Sequence, residues 1–166
     1  MRYSVIIPVY NRPDEVDELL QSLTRQSFKD FEVIVVEDGS SIPCKPVTEK
    51  YQELLDVHYY DKPNSGPGQT RNYGAERSKG EYLIILDSDC ILPEGYFLAV
   101  EEELQHEAAD AFGGPDRAHE SFTKHTESHQ LLHDLLLHHR RYPWGKKKMD
   151  KFYPRSFNMG VRQEVY

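Results

Sequence analysis

Short continuous apolar runs alternate with helical spacings over the first hundred residues. Tyr3 to Val9 is unbroken and β-branched, the pattern of a strand buried on both faces. Pro13 then opens a helix, where its missing N–H is harmless, and Val16, Leu19, Leu20 and Leu23 recur at helical spacing to give that helix one apolar face. Phe31 to Val36 predicts a second strand, Val47 to Leu55 a helix, and Val57 to Tyr60 a short third strand. A loop over Asn64 to Gly68 leads into a helix from Gln69 to Ser78, which Lys79-Gly80 stops. Tyr82 to Leu86 is the most apolar strand, and Pro93 to Leu104 is helical. Gly113-Gly114-Pro115 reads as a turn after Ala111-Phe112.

Strand–helix alternation with short connections predicts an α/β fold whose sheet is mostly parallel, with right-handed crossovers placing helices on both faces. Ligands in such sheets bind beyond the carboxyl ends of the strands. Polar clusters fall at three such ends: Val9 to Arg12, Glu37 to Ser41, and Asp87 to Asp89. Beyond position 115 the pattern changes. Ser121 to Arg141 predicts one long helix, Arg140 to Arg155 a basic loop, and Val161 to Tyr166 the start of another helix. The reading is therefore a single domain, 1–166, with a ligand-binding part over 1–115 and a second part over 116–166.

Composition narrows the partners. The chain has 166 residues and a formal charge of -8, so nucleic acid is not expected. Two cysteines, Cys44 and Cys90, are too few for a disulfide framework and read as reduced thiols of a cytoplasmic protein. No run is long enough to span a bilayer. The basic segment Arg140–Arg155, with Lys146-Lys147-Lys148, suits either a solvated loop or peripheral contact with an anionic membrane surface at its inner face.

Asp87-Ser88-Asp89 carries the sharpest chemistry. Two carboxylates at i and i+2 after a buried strand repel unless a cation relieves them, and Mg2+ or Mn2+ prefers such oxygen ligands. The same tripeptide also fits a simple strand-end turn. Asp38, at the second strand end, suits hydrogen bonds from a nucleoside or a capping role, with Glu37 as its solvated neighbour. Gly66-Pro67-Gly68 followed by Arg71 places backbone amides and a guanidinium at a helix start, an arrangement for a diphosphate. His125, His129 and His133 share one helix side; a zinc site there is outweighed by a half-exposed helix shoulder beside Leu131, Leu132, Leu135 and Leu136.

Val5 to Arg12, Val35 to Ser40, Gly66 to Asn72 and Gly80 to Asp89, in that order and spacing, resemble the family 2 glycosyltransferases. Gly113-Gly114-Pro115 and Ser156 to Arg162 extend the resemblance across the chain. It implies a GT-A (Rossmann-like) fold, a nucleotide-diphosphate-sugar donor with uridine as the expected base, a divalent cation (Mn2+ or Mg2+) and inversion at the anomeric carbon. By that resemblance Pro8, Val9, Tyr10 and Arg12 line base and ribose, and Asp38 contacts the uracil. Arg71 lies near the diphosphate, and Gly66 belongs to the donor loop. Asp87 and Ser88 face the donor, and Asp89 reaches the metal with Asp87 beside it. The acceptor implied is a hydroxyl of a glycan or lipid-linked glycan. Family members carry their catalytic base in an acidic pair after the Asn158 to Arg162 motif. No such pair precedes Tyr166, so the base is expected beyond it, the fold is expected to be C-terminally truncated, and the chain is expected to transfer poorly. A nucleotide-sugar-binding module without turnover is the competing reading. A nucleotidyltransferase would need a glycine-rich basic loop after the first strand, and Pro8-Val9-Tyr10-Asn11 is not one.

Overall fold

The computed structural model describes residues 1–106, 108–113 and 158–166. The long helix and the basic loop expected between 121 and 155 lie outside the described residues, as do His125, His129 and His133. Strand β1 (Tyr3–Val9) leads through helix α1 (Pro13–Thr24) to β2 (Phe31–Asp38), followed by α2 (Lys45–Glu49), β3 (Val57–Lys62), α3 (Pro67–Ala75) and β4 (Tyr82–Leu86). Helix α4 (Tyr96–His106), β5 (Ala111–Gly113) and β6 (Asn158–Arg162) follow, then a 3-10 turn over Gln163–Val165. The sheet order is β3-β2-β1-β4-β6-β5. The four strands β1 to β4 run parallel, while β6 is antiparallel to both β4 and β5.

Both faces are covered. The larger core lies on the side of α1 and α4: Tyr3, Val5, Ile7, Phe31, Val33, Val35, Tyr82, Ile84 and Leu86 from the strands meet Val16, Leu19, Leu20, Leu23, Phe97 and Val100. These alternate strand positions show the period of two that a pleated sheet imposes. Phe31 stacks on Phe97 with ring centroids 4.7 Å apart, and Tyr3 lies 5.3 Å from Phe97. Truncating one of the fully buried leucines of α1 to alanine should cost about 2–5 kcal/mol. On the opposite face α3 packs over β1 and β2, and Ile6, Leu83, Ile85, Ala75 and Val161 form a smaller core.

Several local expectations need correction. Val161 to Tyr166 does not begin a helix: Val161 is in strand β6, 7% exposed, packed with Leu83 and Ile6, and only a short 3-10 turn follows. The valines at 161 and 165 are four apart, which imitates a helical stripe, but Val165 is exposed. Pairing of β6 with both β4 and β5 decides the conformation, and its partners are remote in sequence. Ala111-Phe112, read only as an approach to a turn, is strand β5. The helix expected over Val47 to Leu55 is shorter and earlier, Lys45–Glu49, and continues as turns to Leu55.

Candidate functional site

The parallel registers place the carboxyl ends of β1, β2, β3 and β4 along one edge. Val9 pairs with Glu37, Glu37 with Asp61, and Asp38 with Lys62. The last residue of β5, Gly113, and the first of β6, Asn158, stand at the same edge, since Leu86 is opposite Asn158 and Met159 opposite Gly113.

At the β1 and β2 ends the loops are bound to each other. Asn11 adopts a left-handed backbone, φ 55°, a region asparagine tolerates better than most residues. Its amide donates to Ser40 Oγ at 2.8 Å, and its side-chain oxygen accepts from the amides of Ser41 at 2.8 Å and Ile42 at 3.0 Å. Glu37 is not a solvated neighbour of Asp38: it is 2% exposed and accepts hydrogen bonds from Ser40 Oγ, the Cys44 amide at 2.7 Å and Tyr59 Oη at 3.3 Å. Burial, with Glu37 alongside, pushes the Cys44 thiol up, so it stays protonated. Cys44 and Cys90 are not joined in a disulfide.

Asp38 is buried and densely bonded. Its Oδ1 accepts from Lys62 Nζ and from the Ser65 amide at 2.9 Å, and its Oδ2 from the Gly66 amide at 2.9 Å. Its backbone carbonyl accepts from Asn64 Nδ2 at 2.9 Å. Burial works against the carboxylate charge, but Lys62 and the surrounding donors outweigh it and hold the carboxyl below the usual range. Gly39 follows with φ 71°, and a Cβ there would sit 2.7 Å from the Asn64 backbone nitrogen, so both conformation and space require glycine. Gly66, φ 89°, is the N-cap of α3, and its amide is turned to Asp38.

The β4 end is different. Asp87 is half-exposed, Ser88 buried and Asp89 exposed. Asp87 Oδ1 accepts from Arg71 Nη2 at 3.2 Å, and the Asp87 carbonyl accepts from the Cys90 amide at 3.2 Å in a tight turn. Asp89 has no hydrogen bond or ion pair among the described residues, which leaves its carboxylate free for a cation. Arg71 is 17% exposed, and its Nε is buried without a partner. A buried, unpaired guanidinium N–H costs about 1–3 kcal/mol, so the β4 end has an unmet hydrogen-bond donor. The remaining expected residues sit where strand ends would present them. Pro8 is half-buried, Tyr10 is 54% exposed, and Arg12 is exposed and paired with Glu15 at 3.2 Å. Val9 is 2% exposed and packed in the larger core, so only its backbone reaches the edge.

Sequence reasoning missed Lys62, Asn64, Ser65 and Ser40, the groups that immobilise Asp38 and Glu37. The one available signal was Lys62 at the third strand end, level with Asp38 in a parallel register. A cavity of about 380 Å³ lies away from this edge, on the α3 face, between Asn72, Ala75, Glu76, Leu83, Gln163 and Tyr166.

The profile of glycosyl transferase family 2 matches residues 4–166. The chain belongs to this family. Among family relatives, the poly(ribitol-phosphate) beta-N-acetylglucosaminyltransferase TarS of Staphylococcus aureus is 39% identical over 93 residues, covering 54% of this chain and 16% of that protein. A GalNAc(5)-diNAcBac-PP-undecaprenol beta-1,3-glucosyltransferase of Campylobacter jejuni is 32% identical over 115 residues, covering 68% of this chain and 37% of that protein. The chain thus spans well under half the length of these relatives. The crystal structure of S. aureus TarS 1-349 in complex with UDP-GlcNAc superposes with TM-score 0.66 at 30% identity, over 75% of this chain and 39% of that one. The architecture is the GT-A fold of these family 2 neighbours. Among the described residues, no helix is long and apolar enough to cross a membrane.

Proposed function

We propose that this chain is the donor-binding part of an inverting, metal-dependent glycosyltransferase that uses a UDP-sugar. The observation that carries the reading is the buried, unpaired Nε of Arg71 beside Asp87 at the carboxyl edge of the sheet. It is a free donor for an acceptor oxygen, such as a phosphate oxygen, at the place where a nucleoside diphosphate would lie if its base sat over Tyr10 and Asp38. The UDP-GlcNAc complex of a 30% identical neighbour supports the choice of ligand.

In this reading Pro8, the Val9 backbone, Tyr10 and Arg12 flank base and ribose. Asp38 has one remaining acceptor site on Oδ2 for the uracil, and its three existing bonds fix that oxygen before the ligand arrives. Gly66 and the first turn of α3 border the pyrophosphate, and Arg71 neutralises part of its charge. Asp89, with Asp87 beside it, would hold Mn2+ or Mg2+; the exposed oxygen donors suit such hard cations. The ion would supply charge neutralisation on the leaving diphosphate. Ser88, buried and between the two aspartates in sequence, belongs to the donor side in this reading.

The acceptor hydroxyl then attacks the anomeric carbon opposite the leaving group, which requires a general base. Glu164 is excluded from that role, because it pairs with Arg162 at 3.3 Å at the far edge of the sheet. The base is assigned to no described residue. The acceptor proposed is a glycan or lipid-linked glycan; the basic composition of Arg140–Arg155 suits its phosphates or an anionic membrane surface. Calorimetry of UDP and UDP-GlcNAc with Mn2+ and with chelator tests the proposal. It predicts binding that needs the cation, and equal affinity without it would sink the metal role.

A further inference from the structure

The opposite, amino-terminal edge of the sheet holds a second constellation. Glu32 lies near the start of β2, and the Val33–Val57 pairing puts it level with Asp56, just before β3; His58 follows on the same face. Glu32 is 0% exposed. Its Oε1 accepts from Ser4 Oγ at 2.6 Å and from the Lys79 amide at 2.6 Å, which fixes the carboxylate in orientation. Its Oε2 is buried and has no hydrogen-bond partner. His58 Nε2 lies 3.6 Å from that oxygen and 3.1 Å from Asp56 Oδ1, yet it too is buried without a hydrogen bond. The three donor atoms are within 4.8 Å of one another, and this is the one such group among the described residues.

We propose that Glu32, Asp56 and His58 bind a divalent transition-metal ion of the Zn2+ class. Zinc accepts imidazole nitrogen and carboxylate oxygen at about 2.0–2.2 Å, so tetrahedral ligands stand roughly 3.2–3.6 Å apart. The 3.6 Å separation falls within that spacing, and the 3.1 Å separation is about 0.1 Å short of it. They fit hydrogen bonding less well, because neither contact has its geometry. The ion would satisfy Glu32 Oε2 and His58 Nε2 together, balance the two carboxylates, and leave a fourth position for water on the exposed Asp56 side. Ser4 and the Lys79 amide are the positioning groups behind Glu32, as metal-binding carboxylates require. The site joins β2 to the edge strand β3 and is independent of Asp89.

The test is ZnCl2 calorimetry with parallel thermal unfolding, in a background carrying His125→Ala, His129→Ala and His133→Ala to remove the other histidine stripe. The proposal predicts one zinc bound per chain and a higher Tm in zinc, since a ligand of the native state stabilises it. His58→Gln and the exposed Asp56→Asn should each weaken binding by at least about tenfold and abolish the Tm rise. Asp89→Ala should retain both. Loss of zinc in the triple-alanine background itself, or unchanged affinity in both His58→Gln and Asp56→Asn, overturns the site.

Discussion

The two ends of the carboxyl edge are built on opposite principles. At the β2 end the carboxylates are fixed by several donors each: Asp38 holds Lys62 and two amides, Glu37 holds Ser40, Cys44 and Tyr59, and Asn11 holds the loop above them. At the β4 end Asp87 has one side-chain partner, Asp89 has none among the described residues, and Arg71 Nε is unsatisfied. Saturated hydrogen bonding in a low-dielectric setting makes a rigid surface, whereas unmet donors and free carboxylates make one that is completed only by charged ligands. In the proposed reading the first end shapes the flat nucleoside and the second receives diphosphate and cation.

Substitutions can break this contrast. The largest effect is expected for Asp38→Ala, which strands Lys62 and two amides in a buried pocket. It should cost about 3–5 kcal/mol in denaturant unfolding, and UDP affinity should go with it. Asp89→Ala should leave stability within about 0.5 kcal/mol of the parent, as an exposed unpaired side chain allows. It should nevertheless weaken Mn2+-supported UDP binding about ten- to a hundredfold, the worth of one charged contact. Comparable stability losses for the two variants would erase the distinction.

Acid sharpens it further. The Asp38 carboxyl is held below the usual carboxylate value, about 3.9 in unfolded chains. Its charged contacts therefore stabilise the fold fully above that value and lose their contribution as pH falls through the lower, folded one. Stability followed by circular dichroism from pH 6 downward should drop in acid for the parent, and Asp38→Asn should flatten that part of the curve. At Gly39 alanine would meet the Asn64 backbone as well as a left-handed conformation, the second alone costing about 1–2 kcal/mol. A thermal melt would show whether the Asp38 cradle loosens with it.

Most of this architecture was legible in the sequence because its signals are local. The period-two strands and the Val16–Leu23 stripe carry their own geometry, and the strand ends then marked the edge. What escaped was set by distant pairing. Glu37 looks like a surface acid beside Asp38, and only the Val9 and Asp61 strands flanking it, together with Cys44 and Tyr59, explain its burial. Lys62 becomes a partner of Asp38 only through the β2–β3 register. Val161 imitates a helix because the strand that accepts it, β4, ends 75 residues earlier at Leu86 (161 − 86).

The division of labour along the edge is tested most directly by measuring uridine and UDP affinities, in Mn2+, for the parent, Asp38→Asn and Arg71→Ala. Asp38→Asn should weaken both ligands alike. Arg71→Ala should leave uridine unchanged and weaken UDP by about ten- to a hundredfold, the loss of one charge-assisted contact. Equal loss of uridine and UDP in Arg71→Ala, or unchanged uridine binding in Asp38→Asn, would contradict the account.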